Sequence, residues 1–511
     1  MNWLLLLFLA PLLGAAVVMA MPKGRDTLAK QVGLGISLLV FALTLVIAFQ
    51  FVVADAASFQ AGFSYDWIPA FGVKFAMGLD GIALALVALS TSLVPVVLLA
   101  GWDDADGARG SVKGYLALIL VLEAAMIGVF AATDVFLFYV FFEAMLVPVY
   151  FLIGRYGGPR RNYAAVKFLL YSLFGGLLML ASLIGLYVVS ADLTGTGTFD
   201  FAALAALDIP ADTQKWLFVG FFVAFAIKAP LVPFHTWLPD AAAESTPGTA
   251  VLLVGVLDKV GTFGMLRYCL ELFPDASRWA TPLVLVLAVI GIIYGALLAI
   301  GQTDIKRLIA YTSVSHFGFI ALGIFAMTTR GQSGSTLYMV NHGFSTAALF
   351  LIGGFLISRR GSRMIADFGG VQKVAPVLAG TFLVAGLSSL ALPGLSSFVS
   401  EFLVLVGTFE RYTWAGIIAT LGIVLAALYI LLMYQRTMTG PTPEAVRETV
   451  HDLRGREVLA IAPLLVVIIA LGVYPKPLLD VVNPAVDRVM QAVDMKDPAP
   501  AVAPIAEGTT P

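Results

Sequence analysis

Charge is scarce in this chain. Of its 511 residues only 12% are Asp, Glu, Lys or Arg, about half the share of an ordinary soluble domain. Thirty basic and 32 acidic residues leave a net charge of −2, so no basic surface exists to hold nucleic acid. A single cysteine, Cys269, excludes a disulfide framework and any thiolate-ligated iron–sulfur cluster. There are four histidines and no C-x-x-C-H, so haem is not expected either. The chain is read as holding no cofactor, metal or redox centre of its own.

What is present is apolar. Hydrophobic residues make up 60% of the chain and the mean hydropathy is +0.95, which predicts an all-α, polytopic membrane protein. Segments long enough to span, about 20 residues each, fall near 3–21, 30–53, 79–101, 114–132, 134–154, 163–190, 214–242, 247–270, 281–300, 306–327, 335–357, 376–409, 414–438 and 457–480. Fourteen helices are therefore expected. The first run, Leu4 to Ala20, has no basic residue before it and Lys23, Arg25 and Lys30 after it, the reverse of a signal peptide. It reads as a helix that starts outside. Alternating the loops from there puts 19 basic residues inside and nine outside, with Lys228 and Lys259 left in the membrane. The excess inside fits the rule for cytoplasmic loops and places both termini on the periplasmic side. The Pro- and Ala-rich tail, 481–511, reads as a mobile extramembrane extension.

Six ionisable residues stand alone inside apolar segments: Glu123, Glu143, Lys228, Lys259, His316 and Glu401. A charge at the centre of a spanning helix costs about 2.5 to 3.5 kcal/mol on insertion scales. Six such residues are too costly to be incidental, and their usual place is a bundle interior or wet cavity that conducts ions or protons. Two segments are also interrupted. AIKAPLVPFHTWLPD (226–240) carries three prolines, and SSLALPGLSSFVSEF (388–402) carries Pro393-Gly394 among five serines. Broken helices survive at membrane depth only where the freed backbone is buried in protein or lines a cavity, and a pair of them in two halves points to an inverted repeat. They are the seventh and twelfth helices, which predicts two five-helix units of opposite topology, helices 4–8 and 9–13. Glu143 and His316 are 173 residues apart, as are Lys228 and Glu401, whereas Lys259 has only Leu432 at that offset. The expected divisions are 1–113, 114–271, 279–440, a loop and last helix over 441–480, and the tail.

The segments DVFLFYVFFEAMLVPVYFLIGRYGG, FAIKAPLVPFHTWLPDAAAESTPGTAVLLVGVLDKVGTFGMLRY, GQTDIKRLIAYTSVSHFGFIALG and NHGFSTAALFLIGG, with LPGLSSFVSEF, resemble the antiporter-like subunits of respiratory complex I, the proton-pumping NADH:quinone oxidoreductase. The resemblance runs from about residue 80 to 440 and is strongest to the M type, subunit 4 of mitochondria. Glu401 fits that type, since the sister L and N types typically have lysine there. The resemblance implies a proton-translocating subunit in a bacterial inner membrane, with L- and N-type neighbours and no quinone, nucleotide or metal site. It implies that Glu143 pairs with Lys228, that Lys259 and His316 connect the halves, that Glu401 is the terminal site, and that Glu123, His235 and His342 support a wet axis. A subunit of a multisubunit Na⁺/H⁺ antiporter shares the glutamate and lysine and stays open, as does a non-conducting membrane scaffold. Static structural roles compete at each position: a fixed Glu143–Lys228 pair, hydrogen-bonded core histidines, a helix-pinning Glu123. Asp258 directly precedes Lys259 but points about 100° away on a helix, so the two need not pair. Asp80, Asp134, Glu244 and Asp304 fall near helix ends, where N-capping or water contact accounts for them.

Overall fold

The computed structural model describes residues 2–499. The chain opens with α1 (Trp3–Ala20), capped by the Asn2 side chain, and α2 (Asp26–Gln50). An antiparallel hairpin follows, β1 (Gln60–Ile68) and β2 (Val73–Leu79), which turns through Gly72 at φ 65°. Then come α3 (Gly81–Ala100), α4 (Val112–Ala131) and α5 (Val135–Ala144), with α6 (Leu146–Tyr156) completing the span that α5 begins. Asp80 and Asp134 cap α3 and α5 through N–H groups three residues on, each at 2.9 Å, as expected of their positions.

The long α7 (Arg161–Thr194) and the short α8 (Phe201–Ala205) lead to α9 (Ala211–Lys228). Here the helix stops, because Pro230 has no N–H for the carbonyl of Ala226. The N–H of Leu231 takes that carbonyl at 2.9 Å, and the buried Trp237 indole donates to the carbonyl of Ile227 at 2.9 Å. Helix resumes as α10 (Trp237–Glu244). The next span, 247–270, holds α11 (Pro247–Leu252) and α12 (Lys259–Gly264), with π turns over Leu253–Leu257 and Met265–Leu270.

Three full spans follow: α13 (Pro274–Ile300), α14 (Ile305–Phe325), capped by Asp304, and α15 (Thr329–Arg360). The second interrupted segment is α16 (Pro376–Ser389) and α17 (Ser396–Arg411), parted by a turn in which Ala391 and Gly394 take φ 59° and 92°. The last elements among the described residues are α18 (Thr413–Met438), the short α19 (Glu444–Thr449), α20 (Gly455–Val473) and α21 (Lys476–Ala492).

Twelve helices among the described residues are long and apolar enough to cross a bilayer. The two broken segments fall outside that set, since α9 carries three charged residues, Asp212, Lys215 and Lys228, and α10, α16 and α17 are short. The span 247–270, α14 and α15 are almost wholly buried and form the axis of the molecule, while α2, α7, α13, α18 and α20 wrap it. The outer helices are apolar on both faces, with Leu170, Phe174, Leu177, Leu283, Leu421 and Val424 turned outward. Lipid and protein core are alike apolar, so no amphipathic stripe is needed there.

The hairpin, which no expectation covered, packs Phe75 against Phe8 and Phe141, and the carbonyl of Ala76 accepts from Thr133 N–H at 3.0 Å. Two expectations need correction. The tail is not mobile over its first part. Val482, Ala485, Val486, Val489 and Met490 form one buried stripe on α21, and Arg488 donates to Asp80 at 2.7 Å and to Glu271 at 3.0 Å. Residues 500–511 lie outside the described ones. Glu244, finally, caps no N-terminus. It ends α10, where its carboxylate accepts from Arg160 N–H at 2.8 Å and pairs with Arg363 at 3.0 Å.

Candidate functional site

The interruption after α9 leaves Lys228 as the last helical residue before a non-helical turn. It is fully buried, and its ammonium has no hydrogen-bonding partner in the chain. Two aromatic faces approach it, with ring centroids 4.7 Å (Phe142) and 5.9 Å (Phe168) away. Such contacts are worth about 0.5 to 2 kcal/mol, less than the several kcal/mol that burying an ammonium costs. Lys228 is therefore held but not committed to a partner.

Glu143 lies near the end of α5, half-buried, with Lys228 as the charged group that acts on it. Its Oε1 is buried without a partner. Gly176 of α7 makes room for it: a Cβ there would stand 1.6 Å from Oε1. Glu143 and Lys228 are thus neighbours without a closed ion pair, which disfavours the static-pair account.

Lys259 is placed by the π turn before it. The Asp258 N–H that an α-turn would give to Val254 goes to Leu253 at 3.2 Å, and the Val254 carbonyl takes the Lys259 ammonium at 2.5 Å. π turns often mark functional positions. The same ammonium meets His342 Nδ1 at 2.7 Å and lies 5.1 Å from the Phe317 ring centroid. The rings of His342 and His316 then touch edge to face, centroids 5.2 Å apart. His316 Nε2 lies 3.4 Å from the Tyr429 hydroxyl, and its ring is 5.7 Å from that of Tyr338. Tyr338 donates to Glu401 Oε2 at 2.9 Å, while Glu401 Oε1 has no partner. An unbroken row of buried polar side chains therefore runs from Lys259 to Glu401.

Two of the predicted residues stand apart. Glu123 is fully buried on α4 with both oxygens unpartnered, and no charged side chain acts on it. His235, in the turn before α10, packs edge to face on Tyr294 at 5.5 Å, and its charged neighbour is Lys167. His342, expected only in a supporting place, is the group that Lys259 touches. Tyr338 and Tyr429, not among the expected residues, complete the row. Tyr338 could have been found, because it lies four residues before His342 and so on the same face of α15. Asp258, to which the sequence assigns no role, has both oxygens buried without a partner.

Comparison with known proteins adds a second line of support. The family described as NADH:quinone oxidoreductase/Mrp antiporter, TM matches residues 132–426. The chain is 56% identical to NADH-quinone oxidoreductase subunit M of Mycobacterium tuberculosis strain H37Rv, covering 98% of this chain and 96% of that one. It is 38% identical to NADH-ubiquinone oxidoreductase chain 4 of Arabidopsis thaliana, over 95% and 96% of the two chains. Among solved structures, a chain of respiratory complex I from Thermus thermophilus superposes with a TM-score of 0.86 at 32% identity, over 96% of this chain and 99% of that one. The Mrp complex from Dietzia sp. DQ12-45-1b matches with a TM-score of 0.84 at 22% identity, over 96% and 99%, a likeness of fold.

Proposed function

The chain belongs to the NADH:quinone oxidoreductase/Mrp antiporter family of membrane subunits, in its subunit M and chain 4 branch, and from that membership we propose that it conducts protons through the buried row without redox chemistry of its own. One observation carries the reading: a titratable, uncommitted Lys228 stands at one end of a site whose other members run side chain to side chain from Lys259 to Glu401. Each hop needs a donor and an acceptor that can change charge. Lysine, histidine and glutamate can do so, and burial and nearby charge adjust when they do. Glu143 is the switch. Close to Lys228, its carboxylate favours the charged ammonium; drawn away, it leaves the amine free to release a proton towards Lys259, His316 and Glu401.

Within complex I the driving electron transfer takes place in other subunits, and L- and N-type subunits are the neighbours in the membrane. The membrane is a bacterial inner membrane with both termini periplasmic, as the excess of basic residues in one set of loops favours. In this reading each broken segment is one crossing, for fourteen in all, arranged as two inverted five-helix units. The antiporter reading shares this fold, but the 56% identity to a subunit M favours complex I.

Glu143→Gln tests the proposal. Glutamine keeps the shape of the side chain but cannot ionise, so proton-coupled NADH oxidation in vesicles should be abolished or severely reduced in an assembled complex. Glu143→Asp keeps the charge and should be much milder. Equal, near-normal turnover in both would show that ionisation of this carboxylate is irrelevant.

A further inference from the structure

Asp258 sits where the two halves of the site meet, and it holds nothing in place. The residue is fully buried, and neither carboxylate oxygen has a hydrogen-bonding partner. Buried polar groups kept for packing are normally hydrogen-bonded, so a purely structural role leaves Asp258 unexplained. Its direction follows from the packing of α12 on α9. A Cβ at Gly261 would lie 2.5 Å from the Phe225 carbonyl oxygen and 2.6 Å from the Ala229 nitrogen, so the two backbones touch there. Residues three apart share a helix face, which puts Asp258 one turn away on the face turned towards the end of α9. Lys228 immediately precedes Ala229 at that end. Lys259 lies about 100° further round the helix and reaches the other way, to His342. The charged groups acting on Asp258 are these two lysines.

We propose that Asp258 is a proton-carrying member of the relay, passing protons from Lys228 to Lys259; this rests on the relay reading given above. In the first step the Lys228 ammonium loses a proton to a carboxylate oxygen of Asp258, leaving a neutral amine and a neutral acid. In the second the acid gives its proton to the neutral amine of Lys259, which becomes the ammonium bonded to His342. One N–H bond breaks, one forms, and Asp258 ends as the carboxylate it was at the start. With Lys259 starting as the free amine, the triad stays neutral through both steps, because it carries one proton fewer than two ammoniums would need. That matters in a buried site, where net charge is costly. Neither lysine is hydrogen-bonded to Asp258 in this conformation, so a side-chain rotation or an intervening water closes each gap in turn.

The test uses the assembled complex in inverted membrane vesicles, with Asp258→Asn, Asp258→Leu and Asp258→Glu beside Glu143→Gln. Asparagine matches the shape but cannot take up a proton, and leucine is apolar. Both should slow coupled NADH oxidation about a hundredfold, the low end of what a proton-transfer group contributes, and should change the shape of its pH–rate profile. Asp258→Glu should restore both the rate and the profile, which a role in packing alone would not predict. If Asp258→Asn does not assemble, Asp258→Leu and Asp258→Glu carry the comparison. Wild-type pumping per NADH by either neutral variant overturns the proposal. If Glu143→Gln is crippled in that case, only the role of Asp258 falls; if Glu143→Gln is also normal, the relay reading falls with it.

Discussion

The two halves of the site hold their charged groups differently. From Lys259 to Glu401 the side chains touch in sequence, by hydrogen bond or ring edge, through His342, His316 and Tyr338. Around Lys228 nothing is closed: the ammonium, Glu143 Oε1 and both Asp258 oxygens lie buried without partners, among aromatic faces. A closed row transmits a proton but does not decide when. The row has unpaired atoms too, His316 Nδ1, His342 Nε2 and Glu401 Oε1, each at about 1 to 3 kcal/mol. In the open cluster, however, Lys228 and Asp258 have no hydrogen-bonding partner for their charged groups at all, which makes it sensitive to small shifts of charge. The first half is thus suited to switching and the second to conduction.

Changing position in the open cluster should have the largest effect. Gly176→Ala adds one methyl group where Glu143 Oε1 now lies, 1.6 Å from the new carbon. Overpacking of this kind costs about 1 to 3 kcal/mol, here avoided by pushing the carboxylate off Lys228. Proton pumping measured in vesicles should fall about tenfold or more while the charge count stays the same. Unchanged pumping would mean that the place of Glu143 does not matter.

A smaller loss is expected in the closed row. Tyr338→Phe keeps the ring beside His316 and removes the hydroxyl that donates to Glu401. One hydrogen bond is worth about 0.5 to 1.5 kcal/mol net, a factor of roughly two to ten, and pumping should drop by no more than that. A defect as complete as that of Glu143→Gln would make the second half a switch as well and erase the contrast.

The smallest effect concerns a carboxyl outside both halves. Asp104 lies in the loop between α3 and α4, with Oδ2 buried and unpartnered. Burial pushes its pKa up from 3.8 to about 6, against the opposing pull of the Gly248 N–H and of Lys306. A carboxyl raised in the folded state destabilises the fold once ionised. The cost is complete above about pH 6, shrinks as pH falls through the folded-state value, and is gone below the unfolded one. Asp104→Asn should therefore raise the melting temperature of the purified complex by a few degrees at about pH 8, less at about pH 5.5, and leave pumping unaltered. A stabilisation that grows as the pH falls would contradict this assignment.

Much of the site was legible because charge in an apolar segment is conspicuous. Glu143, Lys228, Lys259, His316 and Glu401 announce themselves, and the prolines around Lys228 mark the break that α9 shows. Tyr338 and Tyr429 do not. A tyrosine in a membrane helix is unremarkable until tertiary packing supplies its hydroxyl with a partner, and no local pattern names Glu401 as that partner. Asp258 was visible but discounted, since its position between two lysines depends on how closely Gly261 packs on Ala229. The helix α21 was missed for another reason. Its apolar stripe at 482, 485, 486, 489 and 490 is in the sequence, but the Pro and Ala composition of the tail drew attention away from its period. The hairpin likewise carries its turn signal at Gly72, hidden between segments read for helices alone.

Lys228→Arg tests the central claim most directly. Arginine keeps the positive charge and can still approach Glu143 and the Phe142 face, but it does not deprotonate in a protein. A static ion pair would tolerate the change, whereas a relay would not. The measurement is protons pumped per NADH oxidised by the fully assembled variant in vesicles. The account predicts that transfer through this subunit stops and that NADH oxidation slows with it; a wild-type proton-to-NADH ratio would contradict the account.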